Sequence, residues 1–208
     1  MTTANATILV DGPDAPPPVG DLVREGERVR LRKHIPANRP AFQDWYADEE
    51  IARLLRHDQR PLNDVQSRGY FDTIILPMSA AGTCYAIHEA STDRFIGSTA
   101  LTDFIGSNHP SALFRIVIGE KDCWDKGYGT ESTRLVVEEA FTTHNCSEVR
   151  LEVFQHNQRA IAAYRKVGFK ITGEHVELVG WDRTKLHVIE MTLRREEYEQ
   201  APLPDAIV

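Results

Sequence analysis

Apolar and polar residues alternate in several short stretches of this chain. Val29 and Leu31 alternate with arginines, which is the period-two pattern of a half-buried strand. Short runs rich in apolar and β-branched residues, bounded by turn residues, predict further strands. These strands cover residues 84–88, 95–102, 112–118, 149–154, 169–172, 176–181 and 186–193.

A spacing of three and four residues between apolar positions takes over in other parts of the chain and predicts helices. Residues 42–55 form the first such region, within which Asp48 is a candidate N-cap. Further helices are predicted over residues 64–76, ending before Pro77, and over 127–144. Asn157 opens a short helix.

Composition bounds the class of protein. The 208 residues are 41% apolar and 26% charged, which predicts a soluble chain with one sizeable core. The formal net charge of −7 disfavours a nucleic-acid partner and favours a cationic one. Residues 1–20, which hold four of the eleven prolines, are expected to form a disordered leader, followed by a domain over 21–195 and a tail over 196–208.

Cysteine spacing and the lack of targeting signals suggest a cytoplasmic location. Cys84, Cys123 and Cys146 match neither a disulfide framework nor the paired cysteines of a zinc site. The chain has no apolar stretch of about 18 residues, so no membrane association is expected. The histidines are scattered, and we assign no metal.

A glycine-containing loop between a predicted strand and helix is the first candidate site. Gly127 and Gly129 allow backbone N–H groups to approach a ligand, and the following helix favours a phosphate or pyrophosphate at its N-terminus. Lys126 adds charge at the rim. Glycines at such a junction also serve the turn alone, and the spacing fits neither a P-loop nor the GxGxxG of dinucleotide sites. A nucleotide-binding domain remains an alternative interpretation.

The helix after Asn157 carries the second candidate site. Ala160, Ile161 and Tyr164 lie on one helical face, so Tyr164 points either into the core or into a cleft. Spacing does not decide between a packing tyrosine and a functional one.

Together these two segments resemble the GNAT N-acetyltransferases. The loop Trp124–Thr130 is similar to their pyrophosphate loop, Q/R-x-x-G-x-G/A, and residues 157–169 are similar to their second CoA motif. The resemblance covers about residues 21–195 and points to the branch with ribosomal-protein N-terminal and spermidine acetyltransferases. It implies an α/β fold with a mixed, mostly antiparallel sheet of about six or seven strands, flanking helices and a V-shaped cleft for acetyl-CoA.

The resemblance implies direct transfer of an acetyl group from acetyl-CoA to a primary amine, without a covalent acyl-enzyme. The acceptor would be a protein N-terminus, a polyamine or another small cationic amine, and the resemblance is compatible with a homodimer. It implies a set of CoA-binding residues in the strand, the loop and the second motif. These are Ile116, Val117, Ile118, Trp124, Asp125, Lys126, Gly127, Tyr128, Gly129, Thr130, Asn157, Ala160 and Tyr164.

Two catalytic residues follow from the same resemblance. Tyr164 is the candidate general acid for the departing thiolate, because a phenol is protonated at neutral pH. Glu152, twelve residues earlier, is the candidate to take the proton of the amine, directly or through a water. A strand glutamate is often only a solvated surface residue. Asp103, His109 and Glu120 are rival bases.

Two departures from the family pattern support an alternative function. Asp125 replaces a usual glycine and brings negative charge close to the expected pyrophosphate, and Leu113 stands where many members of the branch have a glutamate. These changes keep open a catalytically silent CoA-binding sensor or scaffold.

Overall fold

A computed structural model describes residues 18–181 and 183–200 of the chain. Among these residues, eight strands form one mixed sheet in the order β1-β2-β3-β4-β5-β6-β8-β7. The strands are β1 (Leu22–Glu25), β2 (Val29–Arg32), β3 (Cys84–Glu89), β4 (Phe95–Ile105), β5 (Ser111–Ile118), β6 (Glu148–Phe154), β7 (Lys170–Val179) and β8 (Thr184–Arg194). Neighbouring strands are antiparallel except β5 and β6.

Helices cover both faces of the sheet. They are α1 (Arg39–Ala47), α2 (Glu49–Leu55), α3 (Asp64–Tyr70), α4 (Leu76–Ala80), α5 (Tyr128–Thr142), α6 (Gln158–Val167) and α7 (Arg195–Gln200). On one face, α5 and α6 pack on residues such as Leu31, Ile87 and Leu101. On the other face, which α1 to α4 cover, Phe42 of α1 and Phe71, directly after α3, belong to a second core cluster. Alternation along the strands supplies both clusters, because successive side chains point to opposite faces.

The sheet has eight strands where about six or seven were predicted, and two of the predicted strands are joined into one. Leu22–Glu25 pairs as an additional short edge strand, which four residues with a bulge are too short to reveal by pattern. The segments 169–172 and 176–181 are one strand, β7, because the register shift at Gly173 carries pairing with β8 across the apparent break.

The helical region around Pro77 also differs from the prediction. The chain stays helical to Ala80 instead of ending before Pro77. A π-helical turn, Phe71–Ile75, ends two residues before the proline. The π-helical turn and Pro77 both interrupt the regular i to i−4 hydrogen bonds, and the helix continues through both of them. The N-cap role of Asp48 is confirmed, since its side chain accepts the Ile51 N–H at 3.0 Å.

The predicted leader and tail fall mostly outside the described residues. Only residues 18–20 of the leader are described, and residues 201–208 of the tail are not. The start of the tail forms α7, where the Tyr198 hydroxyl lies 3.1 Å from a Glu138 carboxylate oxygen on α5. The domain boundaries stay a prediction.

Candidate active site

The parallel pair in the sheet opens the cleft. Strands β5 and β6 are paired only from Ser111 to Leu113 and from Glu148 to Arg150. Beyond these residues the two strands separate, so the backbone of residues 114–118 no longer has β6 as a partner. A cavity of about 270 Å³ fills the gap and is closed by α2 on one side and α6 on the other.

Most of the predicted CoA-binding residues line this cavity. They are Ile116, Val117, Ile118, Trp124, Asp125, Gly127, Gly129, Thr130, Asn157, Ala160 and Tyr164. Lys126 and Tyr128 are not among the residues that line it. The Lys126 carbonyl accepts a hydrogen bond from Arg28 at 3.0 Å. The Tyr128 hydroxyl donates to Glu89, and that hydrogen bond raises the pKa of Tyr128 to about 12.

The start of α5 is an anion-binding geometry. Gly127 is its N-cap with φ of 86°, a left-handed conformation that favours glycine. Gly127 has no side chain to cap this helix end, and within the described residues no other side chain accepts from its first N–H groups, which are left for a ligand. The aligned peptide dipoles of the fifteen-residue helix favour negative charge at the same point.

Asp125 is paired, which balances part of its charge. An Arg159 guanidinium nitrogen lies 3.5 Å from its carboxylate. The same guanidinium stacks 3.9 Å above the Trp124 ring. Trp124 is fixed in turn, because its indole N–H donates to the Ile118 carbonyl at 2.8 Å. The loop therefore offers a pre-positioned arginine beside the end of α5.

The predicted catalytic residues meet at one recess. Tyr164 lines both the main cavity and an adjoining recess of about 70 Å³, and Glu152 lines the same recess. Asn157 lies at the junction and caps α6 by accepting the Ala160 N–H at 3.2 Å. Tyr164 is 8% exposed and packs edge-on against Phe114. Burial raises the pKa of Tyr164, which keeps the phenol protonated.

Two of the three rival bases, Glu120 and Asp103, have side-chain partners outside the recess. The Glu120 carboxylate accepts the Trp45 indole N–H at 2.9 Å, and the Asp103 carboxylate accepts the Thr102 hydroxyl at 2.8 Å. The backbone carbonyl of His109 accepts the Ser147 hydroxyl in a loop.

Sequence reasoning missed the residues that close the cleft from the first half of the chain. Leu54 and Leu55 on α2 line the cavity, although both are only half-buried. The spacing of Leu54 and Leu55 from Ile51 was the available signal, and it indicated only an apolar helix face. His57, which follows α2, lines the recess beside Glu152 and had no signal in the spacing.

The described part of the chain has neither a metal-ligand cluster nor a membrane-spanning helix. Within residues 18–181 and 183–200, no three histidine, cysteine, aspartate or glutamate side chains are grouped as metal ligands. In the same part of the chain, no helix has the length and apolar character to cross a membrane.

Sequence comparisons identify relatives of this chain. Residues 28–170 match the family model of the acetyltransferase (GNAT) domain. The spermidine N(1)-acetyltransferase of Escherichia coli K12 is 35% identical over 95 residues, which are 42% of this chain and 50% of that protein. The chain thus spans about half the length of the curated relatives it matches.

Solved structures share the fold. A GNAT-family acetyltransferase from Bacillus anthracis has a TM-score of 0.71 at 13% identity, covering 83% of this chain and 98% of that one. The spermidine N-acetyltransferase of Vibrio cholerae, solved with CoA and spermine, has a TM-score of 0.70 at 18% identity, covering 84% and 99%. The predicted family and fold class are confirmed. With the family model spanning well over half of it, this chain belongs to the GNAT acetyltransferase family.

Proposed function

We propose that this protein transfers an acetyl group from acetyl-CoA to a small-molecule primary amine, with polyamines as the first acceptors to test. The observation that carries the proposal is a single cleft that joins the uncapped end of α5 to Tyr164. Family membership supports it, as do the CoA and spermine named for the Vibrio cholerae structure. The net charge of −7 suits a cationic acceptor.

The residues present fit acetyl-CoA as a co-substrate. The N–H groups at the start of α5 and the Arg159 guanidinium would hold the pyrophosphate. Beyond Leu113, the edge of β5 that faces away from β4 has no β6 partner and would hydrogen-bond the amide groups of the pantetheine arm. Gly129 leaves room for close approach, because a Cβ there would meet only Ile118 at 3.7 Å.

Direct attack by the amine fits the chemistry of the cleft better than a covalent acyl-enzyme. Cys123 is the thiol that lines the cavity, and it is 3% exposed. Burial raises the pKa of this thiol, so it stays protonated and is a poor nucleophile. In the direct reaction a C–N bond forms and the C–S bond breaks. Tyr164 gives its proton to the departing thiolate, and the proton of the amine leaves on the side of Glu152.

The acceptor would enter through a wider hollow beside the recess. This hollow has a volume of about 400 Å³ and is lined by Tyr46, Tyr70, Arg115 and the residues after α2. The hollow and the recess share Leu55 and Ile116, so they adjoin each other, and Tyr164 lines the recess. A cytoplasmic location and a homodimer stay predictions.

Thiol release from acetyl-CoA across a panel of amines tests the proposal. We expect turnover with small primary amines and, for Tyr164→Phe, a loss of about 100-fold in kcat with the Kd for CoA unchanged. Tyr198→Phe, which removes a hydroxyl on α7, is the matched control and should keep the activity. Tight CoA binding without turnover on any amine would instead support the sensor or scaffold function. Displacement by ATP as readily as by CoA would favour a nucleotide-binding domain.

A further inference from the structure

His57 occupies the meeting point of the recess and the acceptor hollow. It lines both, together with Leu55, Arg115 and Ile116. Its ring packs edge-on against Phe154 at the end of β6, with centroids 5.4 Å apart. The side chain is 44% exposed, so an entering molecule can reach it.

The two ring nitrogens of His57 face two different carboxylates. Nδ1 lies 2.6 Å from Glu177 on β7, which is hydrogen-bonding distance. Nε2 lies 3.9 Å from Glu152 on β6, which is too long for a direct hydrogen bond. A neutral imidazole that donates from Nδ1 to Glu177 has its lone pair on Nε2. The recess then presents two acceptors, Nε2 and the Glu152 carboxylate, close enough for one ammonium group to contact both.

Glu177 is held in place by a second histidine. His175 Nε2 lies 3.3 Å from the Glu177 carboxylate, and His175 Nδ1 lies 2.9 Å from Glu190 on β8. The hydrogen bond from His57 lowers the pKa of Glu177, with His175 acting in the same direction. Glu177 therefore stays an anion that orients the His57 ring and stabilises an imidazolium.

We propose that His57 is the catalytic base that accepts the proton of the acceptor amine, with Glu177 as its positioning residue and Glu152 as the anion that binds the ammonium group. This rests on the proposed acetyl transfer. A solvated carboxylate binds a cation but is a weak base near pH 7, whereas an imidazole is matched to that pH. The ammonium proton passes to Nε2, and the free amine attacks the thioester carbon to form the C–N bond. As the C–S bond breaks, the thiolate takes the Tyr164 proton. The attacking nitrogen then loses its second proton, which restores Tyr164 through solvent.

Several charged groups face His57 and bear on its protonation. Glu177 and Glu152 come from β7 and β6, Arg56 and Asp58 flank it in the chain, and Arg115 comes from β5. Arg56 is paired with Asp58 at 2.8 Å, so its charge is balanced locally. His175 acts one step further away, through Glu177.

Initial rates between pH 5.5 and 9 test the base role. We expect His57→Gln to lose about 100-fold in kcat/KM, with a smaller effect on the Kd for CoA, and to lose the acidic limb of the pH profile. Imidazole added to His57→Ala should restore part of the rate, which a merely structural histidine would not allow. His156→Gln is the matched control, because His156 stacks on the same Phe154 ring and should leave the rate unchanged.

A measurement without turnover tests the positioning by Glu177. Nitrogen NMR of the imidazole side chains should show neutral His57 protonated on Nδ1 in the wild type and a mixture of tautomers in Glu177→Gln. If the wild type turns over and His57→Gln has the same kcat/KM, the base role is overturned and the acetyl transfer stands. Neutral His57 protonated on Nε2 would also overturn it. Absence of wild-type turnover on any amine would overturn the proposed function and the base role together.

Discussion

At the residue scale, Asp125 is the place where this chain differs most from what an anion site requires. Its carboxylate is 74% exposed and lies 3.5 Å from Arg159, in the loop that precedes α5. A pyrophosphate bound at the end of α5 would repel this carboxylate and compete with it for the guanidinium. We therefore expect Asp125 to weaken CoA binding and Arg159 to reduce the effect.

Asp125→Asn should tighten CoA binding. Asparagine has nearly the same shape and tolerates the φ of 60° found at this position, so the loop conformation should persist. Removing one exposed charge is expected to lower the Kd for CoA by about two- to fivefold, and 0.5 M salt should shrink the difference. Calorimetric titration at two salt concentrations measures both effects. Arg159→Gln, which leaves Asp125 unpaired, should weaken binding, and equal affinity in both variants would contradict this account.

At the element scale, the stability of the first turn of α5 depends on glycine at position 127 but not at position 129. Gly127 has φ of 86°, and a Cβ there would meet Arg28 Nη1 at 3.1 Å. Gly127→Ala should therefore cost about 1–2 kcal/mol of the free energy of unfolding. Gly129 lies inside the first turn and has space for a Cβ, so Gly129→Ala should be neutral or stabilise by up to about 1 kcal/mol. Urea denaturation of both variants gives the comparison, and equal losses would contradict it.

Local patterns predict elements well where one element carries its own signal. The regular spacing in α5 and the cap at Asn157 give both helices within a few residues. Local patterns fail where the pairing of one strand with another decides where a strand begins and ends. The two predicted strands that form β7 are joined by hydrogen bonds to β8 across a bulge at Gly173, and no local property of residues 173–175 encodes that partner.

The candidate site was predictable where its residues are close in sequence and not where they come from distant segments. Motifs within one segment located the CoA loop and Tyr164, because strand, loop and helix are contiguous in sequence. His57 comes from the opposite side of the sheet, and Glu177 from a strand 120 residues later. Only the tertiary packing of α2 against the separated ends of β5 and β6 brings them to Glu152. Spacing contains no information about such a contact.

At the scale of the whole molecule, the sheet lies between two helical layers, and His34 is buried in the layer formed by α1 to α4. Its ring lies edge-on to Phe71 and to Phe95, at centroid distances of 5.7 and 5.6 Å. Its Nε2 is 2.9 Å from the Ser98 hydroxyl, and its backbone N–H donates to the Ser79 hydroxyl. Burial lowers the pKa of His34 to about 3, so the imidazole is neutral in the folded protein.

This burial makes stability depend on pH in a defined direction. An imidazole in the unfolded chain has a pKa of about 6.5, so below that pH the unfolded state binds a proton that folded His34 does not. Stability is fully present above about pH 6.5 and falls as the pH drops toward about 3. From pH 7 to pH 5, His34 should remove on the order of 1–2 kcal/mol from the free energy of unfolding. His88, whose pKa is also lowered by burial, acts in the same direction, and His175, whose pKa is raised mainly by Glu177, opposes it.

His34→Gln should flatten this pH dependence. Glutamine does not titrate and retains an N–H for the Ser98 hydroxyl, so the variant is expected to be less stable at pH 7.5 but to lose less stability on acidification. Urea denaturation at pH 7.5, 6.5 and 5.5 measures the slope for the wild type and the variant. His187→Gln, which removes an exposed histidine on β8, should keep the wild-type slope. Identical slopes in the wild type and His34→Gln would show that His34 titrates alike in the folded and unfolded states, and would contradict its burial as a neutral group between the sheet and the first four helices.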